Sequence, residues 1–262
     1  MAEFQTMAGT PTGTKVTAVA GGSLALKVIP GSKEPMADAI TATPSTVAVI
    51  KNINHRTTAH FSTFDISCVV AGAATVTATA AGKTLAGPLS VEVLSRLVLP
   101  DAATDAGLLT RLFLAEVASP GATSWKLDDA KTCMTLMRVV LENRLATPSS
   151  RWASAGAKNL GDVVRAPNQF QGFSKYPDLS SDVKTVIDDI LNVANKAGDR
   201  RMANNRAHVE AAIAIATGGK PADPTKTGLY WWRTAGTGAP GTGVTAYKTL
   251  LGNTFYQEGA KK

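Results

Sequence analysis

The sequence predicts an α+β multidomain chain in which a small β-sandwich precedes an α-rich domain. Two observations lead to this prediction. Up to about residue 95, short runs rich in Val, Thr, Ile and Ala are separated by Gly, Pro, Ser and Asn, as in strands joined by turns. Beyond residue 100, apolar residues recur with a period near 3.6, as in helices that bury one face. The length of 262 residues accommodates both domains.

Six strands are predicted in the N-terminal domain, residues 14–95, which follows a flexible segment, residues 1–13. Their ranges are 15–20, 23–29, 46–50, 64–70, 74–80 and 89–94. Alternation is clearest in 75–79 (TVTAT), where a period of two directs one set of side chains inward and the other toward solvent. Regular short strands with turn residues between them favour a sandwich.

Four helices are predicted in the C-terminal domain, residues 96–262. Their ranges are 104–118, 127–145, 181–196 and 205–217. Thr104 or Asp105 caps the first helix, and Gly218 ends the last. The segments 152–177 and 220–256 are too long and too aromatic to be passive linkers.

The formal net charge of +7 suits a polyanionic partner such as nucleic acid, anionic lipid or the bacterial cell wall. The basic residues are spread along the chain without a long Lys/Arg run or a groove-reading motif, so no nucleic-acid partner is expected. No run of 18 apolar residues and no secretory leader is visible, and no membrane interaction is expected.

Cysteine and histidine are scarce. Cys68 and Cys133 fall on opposite sides of the predicted boundary, so no disulfide within a domain is expected. His208 is the one histidine of the C-terminal half, too few for a zinc site of the usual kind. Neither a metal nor a cofactor is expected.

Glu116 continues an apolar helix face. Leu109, Leu112 and Phe113 follow one another at helical spacing, and Glu116 occupies the next position of that face. Burial there disfavours the charged form, so the carboxyl holds a proton to higher pH and can donate it to a leaving oxygen. Cleavage of a glycosidic bond needs such an acid. The same spacing also allows Glu116 to point into water at the helix end.

Five blocks of the C-terminal part, in order, resemble the cell wall hydrolase family typified by the spore-cortex-lytic enzyme SleB. The blocks are 109–117 (LTRLFLAEV), 139–145 (VVLENRL), 160–164 (LGDVV), 167–170 (PNQF) and 223–232 (DPTKTGLYWW). The first contains the glutamate that matches the catalytic residue of the family. The second matches its "vvlNR" helix.

The resemblance implies a lysozyme-like, lytic-transglycosylase-like domain that cuts the β-1,4 bond between N-acetylmuramic acid and N-acetylglucosamine. Glu116 is then the acid and later the base, and the 6-hydroxyl of muramic acid displaces the leaving group. A hydrolytic muramidase is the alternative. The chain departs from the family at 252–256 (GNTFY), which lacks an adjacent histidine, and at Trp125, where a shorter polar turn is expected.

The N-terminal domain is similar to bacterial Ig-like domains, chiefly in 73–80 (AATVTATA), the turn 82–84 and the strand 89–94. This resemblance implies an Ig-like β-sandwich that serves as a spacer or adhesion module. No chemistry is expected in it.

Substrate-binding residues are predicted from side chains that suit a saccharide cleft, since rings stack on sugar faces and amides bond hydroxyls. Burial in a core is the alternative for the aromatic ones. The predicted set is Gln169, Phe170, Tyr230, Trp231 and Trp232. Asn143, with Arg144 beside it, either orients Glu116 or binds the peptide stem, unless it forms a solvated helix end.

Two other groups of side chains have the functional groups that catalysis needs. Asp128 and Asp129 are interpreted as compensation of the helix dipole rather than as a second catalytic carboxylate. Cys133 with His208 is the nucleophile–base pair that a peptidoglycan amidase would need, although a cysteine in an apolar helical stretch is usually a small core residue.

A wall-cutting enzyme without a visible leader indicates export by a non-Sec route and action in the periplasm or cell wall of a target bacterium, as an antibacterial effector or a phage component. The expected partners are peptidoglycan glycan strands, with an immunity protein or a component of a secretion machinery or virion. The rival interpretation is a non-enzymatic wall-binding or structural protein.

Overall fold

The structure, a computed structural model, describes residues 2–259 and contains two compact units. The first unit comprises residues 2–96 together with Asn195–Met202. The second comprises Leu97–Ala194 together with residues 203–259. Each unit has a hydrophobic core of its own.

The first unit consists of two four-stranded sheets that share one core. One sheet has the order β1-β3-β6-β5 and the other the order β2-β8-β7-β4, and β2 with β8 is its parallel pair. Phe64, Ile66 and Cys68 alternate into the core along β6. The strands are β1 (Glu3–Thr6), β2 (Lys15–Val19), β3 (Ser23–Ile29), β4 (Ala39–Thr43), β5 (Ala48–Arg56), β6 (Phe61–Cys68), β7 (Gly72–Ala80) and β8 (Lys83–Leu94).

The six predicted strands all occur, and two further strands, β1 and β4, were not predicted. β1 lies in the segment that the sequence suggests is flexible. It pairs with β3, and the buried ring of Phe4 packs edge-on against Phe64 with centroids 5.9 Å apart. A four-residue strand carries too little alternation to be recognised from sequence, so its burial could not be foreseen.

The second unit combines helices with an antiparallel sheet of order β10-β11-β9. Its core joins apolar residues of the helices to Leu229 and Phe255 of the sheet. The elements are α1 (Asp105–Glu116), α2 (Leu127–Ala146), α3 (Leu160–Arg165), α4 (Ser181–Ala194), α5 (Met202–Thr217), β9 (Leu229–Thr234), β10 (Val244–Leu250) and β11 (Asn253–Glu258).

The four predicted helices are confirmed as α1, α2, α4 and α5. The predicted cap of α1 is Thr104, whose hydroxyl accepts a hydrogen bond from the Gly107 amide at 3.0 Å. The short helix α3 was not predicted, because six residues show less than two turns of periodicity.

The predicted fold class, an Ig-like β-sandwich followed by an α-rich lysozyme-like domain, is wrong. Residues 2–259 contain eleven strands in three sheets, and the second unit combines its helices with the three-stranded β9–β11 sheet. The segment after α5 was expected to be more than a passive linker, but no strand was predicted in it. Its Trp, Tyr, Val and Thr residues pair as strands, and its glycines occupy the turns between them.

The buried histidine His208 makes the second unit sensitive to acid. Its Nδ1 accepts a hydrogen bond from Trp125 Nε1 at 3.3 Å, and its Nε2 has no hydrogen-bond partner within residues 2–259. Burial lowers the pKa of His208 to about 4. An unfolded histidine takes up its proton near pH 6.5, so acid favours the unfolded chain between these two values.

We therefore expect the free energy of unfolding to fall as the pH drops from about 6.5 to about 4, with a His208 contribution of roughly 3 kcal/mol, at 1.36 kcal/mol per pKa unit. Urea unfolding followed by tryptophan fluorescence tests this, since all four tryptophans lie in the second unit. His208→Gln should flatten the pH dependence, and His60→Gln, at an exposed histidine of the first unit, should not. Equal slopes in both variants would contradict the assignment.

Candidate functional site

A cleft of about 590 Å³ in the second unit has Glu116 in its lining. The lining residues come from the end of α1, the end of α2, the turn Ser150–Trp152, the loop 168–171, β9 and the start of β11. Aromatic and basic side chains dominate it. They are Arg144, Arg151, Trp152, Phe170, Trp231, Trp232 and Arg233.

Glu116 is the last residue of α1 and is partly buried. Its carboxyl Oε2 accepts a hydrogen bond from Trp232 Nε1 at 3.4 Å, and its backbone carbonyl accepts one from Asn253 Nδ2 at 3.2 Å. Burial raises the pKa of the Glu116 carboxyl, and the Trp232 hydrogen bond offsets part of this rise. The carboxyl therefore lines the cleft in an environment that favours its protonated form.

Removal of the indole donor should raise the pKa of Glu116 further. A hydrogen bond to the charged form stabilises that form, so Trp232→Phe is expected to keep the carboxyl protonated to a higher pH. Titration of the glutamate side-chain carbons by NMR measures this shift. Trp231→Phe is the matched control, because Trp231 contacts Trp152 and Tyr230 rather than the carboxyl. A pKa of Glu116 that falls or stays constant in Trp232→Phe would contradict the assignment.

Stacked rings form one wall of the cleft. Trp152 and Tyr230 are parallel, with centroids 4.2 Å apart, and Trp231 meets Trp152 edge-on at 4.5 Å. The Arg151 guanidinium lies 4.7 Å from the Trp152 ring centre. The β9–β11 register is irregular at Tyr230, so consecutive residues of the strand reach the same ring.

Five of the seven predicted site residues line this cleft, and two do not. Those in the lining are Glu116, Gln169, Phe170, Trp231 and Trp232. Tyr230 lies behind Trp152, with its hydroxyl 3.5 Å from that of Thr147. Asn143 Nδ2 donates to the Leu229 carbonyl at 3.0 Å and to Asp223, so this side chain fastens the start of β9.

Arg144, which the sequence placed beside Asn143, reaches the cleft. Its guanidinium is buried, and it donates to the Tyr230 carbonyl at 2.6 Å and to Gln169 Oε1 at 3.0 Å. Burial lowers the pKa of Arg144 to about 10, so the group is still charged at neutral pH. It links α2 to both β9 and the loop that carries Gln169.

Sequence reasoning missed several lining residues, chiefly Arg151, Trp152, Arg233 and Asn253. Arg151 and Trp152 lie in a three-residue turn without periodicity, and Arg233 and Asn253 lie in strands of the unpredicted sheet. The one signal in the sequence was that the cationic Arg151 directly precedes the aromatic Trp152.

Cys133 and His208, the nucleophile and base of the amidase alternative, each have a hydrogen-bond partner other than each other. Burial raises the pKa of the Cys133 thiol to about 12, and this thiol accepts a hydrogen bond from Asn253 Nδ2 at 4.0 Å. His208 Nδ1 accepts from Trp125. A thiol that stays protonated at neutral pH is a poor nucleophile.

A second cavity, of about 240 Å³, adjoins the first at Glu116 and Gln171, which line both. Its other lining residues include Asp182 and Val183 of α4. Glu116 thus borders two concave surfaces. A linear ligand that crosses Glu116 has room on both sides.

Among residues 2–259, no cluster of three or more His, Cys, Asp or Glu side chains is arranged to hold a metal ion. In the same part of the chain, every helix is too short or too polar to cross a bilayer.

No model of a known protein family matches the chain, and a search of curated proteins found no match. Solved structures similar to parts of it include surface-layer and adhesin proteins. The surface-layer protein SbsC, domains 1–6, has a TM-score of 0.29 and 16% identity over 38% of this chain and 14% of that one. SbsC domains 5–6 give 0.28 and 17%, over 36% and 49%. The adhesin InvE of Yersinia pseudotuberculosis gives 0.25 and 14%, over 32% and 25%.

The chain spans less than half the length of each of these structures. Similarity at these values carries no argument about the fold or the activity of the chain.

Proposed function

We propose that the second unit cleaves peptidoglycan glycan strands, at the bond between N-acetylmuramic acid and N-acetylglucosamine, with Glu116 as general acid. The observation that carries the proposal is a carboxyl with a raised pKa in an aromatic cleft. The resemblance of residues 109–232 to the SleB-type cell wall hydrolases supports it.

The chemistry follows from the proton of Glu116. The carboxyl gives this proton to the bridging oxygen while the bond from C1 of muramic acid to that oxygen breaks, as an oxocarbenium-like state develops. The 6-hydroxyl of the same sugar then bonds to C1, and the Glu116 carboxylate takes the proton that this hydroxyl loses. The products are a 1,6-anhydromuramic end and a free 4-hydroxyl on the leaving N-acetylglucosamine.

One feature favours this route over hydrolysis. Glu116 is the one carboxylate that lines the larger cleft within residues 2–259. Intramolecular attack by the 6-hydroxyl needs no second carboxylate in the protein. Trp231 and Trp232 offer ring surfaces for sugars beside it.

A hydrolytic muramidase is the second candidate, and one observation favours it. Asp182 lines the smaller cavity together with Glu116, where a second carboxylate could activate a water molecule. The two routes differ in their dependence on this residue, because only hydrolysis requires a base for water.

Digestion of purified peptidoglycan by the full chain, with mass analysis of the fragments, tests the proposal. Transglycosylation gives anhydro ends, lighter by one water than the reducing ends that hydrolysis gives. We expect anhydro ends from the wild type and, at a similar rate, from Asp182→Asn. Reducing ends that disappear in Asp182→Asn would favour the muramidase. Cut peptide bonds, or intact peptidoglycan, would refute the proposal.

The site of action can be tested in living bacteria. If the substrate is the cell wall, the chain should arrest growth and cause lysis when a leader directs it to the periplasm, and should be tolerated in the cytoplasm. An immunity protein, if the chain is an antibacterial effector, should suppress this lysis. Culture density is measured over time for the periplasmic and the cytoplasmic forms. Growth arrest by the cytoplasmic form alone would contradict a wall substrate.

A further inference from the structure

Charge distinguishes this cleft from one that binds neutral sugars. Three guanidinium groups line it, those of Arg144, Arg151 and Arg233, against the single carboxyl of Glu116. Burial of that carboxyl also disfavours its charged form, which raises its pKa. Desolvation of such a cationic surface by a neutral ligand is unfavourable, whereas an anionic group on the ligand compensates it.

The three arginines differ in what they already bind. Arg151 forms an ion pair with Glu258 at 2.8 Å and donates to the carbonyls of Thr242 and Gly243 at 3.4 Å. Its charge is thus largely matched within the protein.

Arg144 donates from Nε to the Tyr230 carbonyl and from Nη1 to Gln169 Oε1. Its Nη2 makes no hydrogen bond within the described part of the chain. Arg233 is exposed, and within residues 2–259 its guanidinium makes one hydrogen bond, a long one from Nη1 to the Ala239 carbonyl at 3.5 Å. Arg233 therefore has the most donors available to a ligand. It directly follows Trp232, the residue that contacts the Glu116 carboxyl, so it lies close to the expected point of cleavage.

We propose that Arg233, supported by the buried charge of Arg144, binds a carboxylate carried by the muramic acid substituent of the glycan strand. This inference rests on the proposed function and specifies its substrate. The sugar rings themselves are neutral, and the substituent is the part of the strand that bears carboxylates. Those carboxylates belong either to the peptide stem or, where the stem has been removed, to the bare lactyl group. Guanidinium groups suit either because they pair with carboxylates through two parallel hydrogen bonds.

The test measures binding of three soluble ligands to the full chain that carries Glu116→Gln, so that no strand is cut during the measurement. The ligands are strands with peptide stems, strands stripped of stems by an amidase, and neutral N-acetylglucosamine oligomers. Arg233→Met in this background should weaken binding of the anionic strands by about 10-fold or more, the scale of a hydrogen bond to a charged group. Binding of the neutral oligomers should stay within about twofold. Arg200→Met, at an exposed arginine of the first unit, removes the same charge and should change nothing.

Comparison of the stem-bearing and the stripped strands also distinguishes the two sources of the carboxylate. A loss confined to stem-bearing strands assigns the carboxylate to the peptide. A loss confined to stripped strands assigns it to the lactyl group, which is free only there, and a loss on both kinds of strand means that the site accepts either carboxylate. Equal affinity of Arg233→Met and its parent for all three ligands, or an equal loss for the neutral oligomers, would overturn the inference. Cleavage of peptidoglycan by the wild type is measured separately and does not depend on these binding results. If Arg233→Met has no effect on binding, only the carboxylate site is refuted. If the parent variant Glu116→Gln binds no strand at all, the proposed function is refuted too.

Discussion

Glu116→Gln is expected to lower the rate of glycan-strand cleavage by about 10²–10⁴-fold, the usual contribution of a general acid. Glutamine fills the same volume and keeps an oxygen for the Trp232 indole, which lies 3.4 Å from the carboxyl in the wild type. It has no proton acidic enough to give to the bridging oxygen. Release of soluble muropeptides from peptidoglycan over time measures the loss.

Glu210→Gln is the matched control for this variant. Glu210 lies on α5, is about half exposed and pairs with Arg206 at 3.0 Å, away from the cleft lining. Its replacement removes one carboxylate as well, so its rate should stay within about twofold of the wild type, as for an exposed ion pair of small energetic weight. If Glu116→Gln keeps the rate of this control, another group is the acid and the proposed mechanism is wrong.

Phe113→Ala should destabilise the second unit by about 3–5 kcal/mol, because the side chain is fully buried and its removal leaves a cavity as well as lost apolar contact. Phe113 lies one turn before Glu116 on α1 and belongs to the core on which that helix packs. Urea unfolding detected by tryptophan fluorescence reports on this unit alone. The midpoint should move to lower urea with little change of slope.

Val98→Ala is the control for the loss of apolar volume. Val98 is 73% exposed, so its truncation removes little buried surface and should change the free energy of unfolding by less than about 0.5 kcal/mol. A Phe113→Ala variant as stable as Val98→Ala would mean that α1 is not packed as described.

Local sequence patterns were sufficient to predict the long helices and strands of the chain. The apolar spacing of Leu109, Leu112 and Phe113 predicts the helix and allows Glu116 to point either inward or into water, and the structure has Glu116 partly buried. The strands with clear alternation, such as β7, were predicted for the same reason. In each case the signal lies within about ten residues of sequence.

The cleft depends on contacts that no local pattern contains. Trp232 meets Glu116, and Asn253 meets the carbonyl of the same residue, over separations of 116 and 137 positions. The β9–β11 sheet, which brings both to α1, was not predicted, so the fold class was wrong although most of the predicted site residues line one cleft. Asn143 was expected to orient Glu116, to bind the peptide stem or to form a solvated helix end, and its side chain hydrogen-bonds the Leu229 carbonyl, a contact that the local sequence does not contain.

The two cysteines have a consequence for where this protein can work. Each thiol is sealed in a different core, Cys68 in the first unit and Cys133 in the second, and burial raises the pKa of both. A protonated, inaccessible thiol exchanges slowly with disulfides and resists oxidants. The chain can therefore fold under reducing conditions and remain unchanged under oxidising ones. A protein that passes from the one environment to the other needs neither a thiol oxidase to mature nor a reductase to survive.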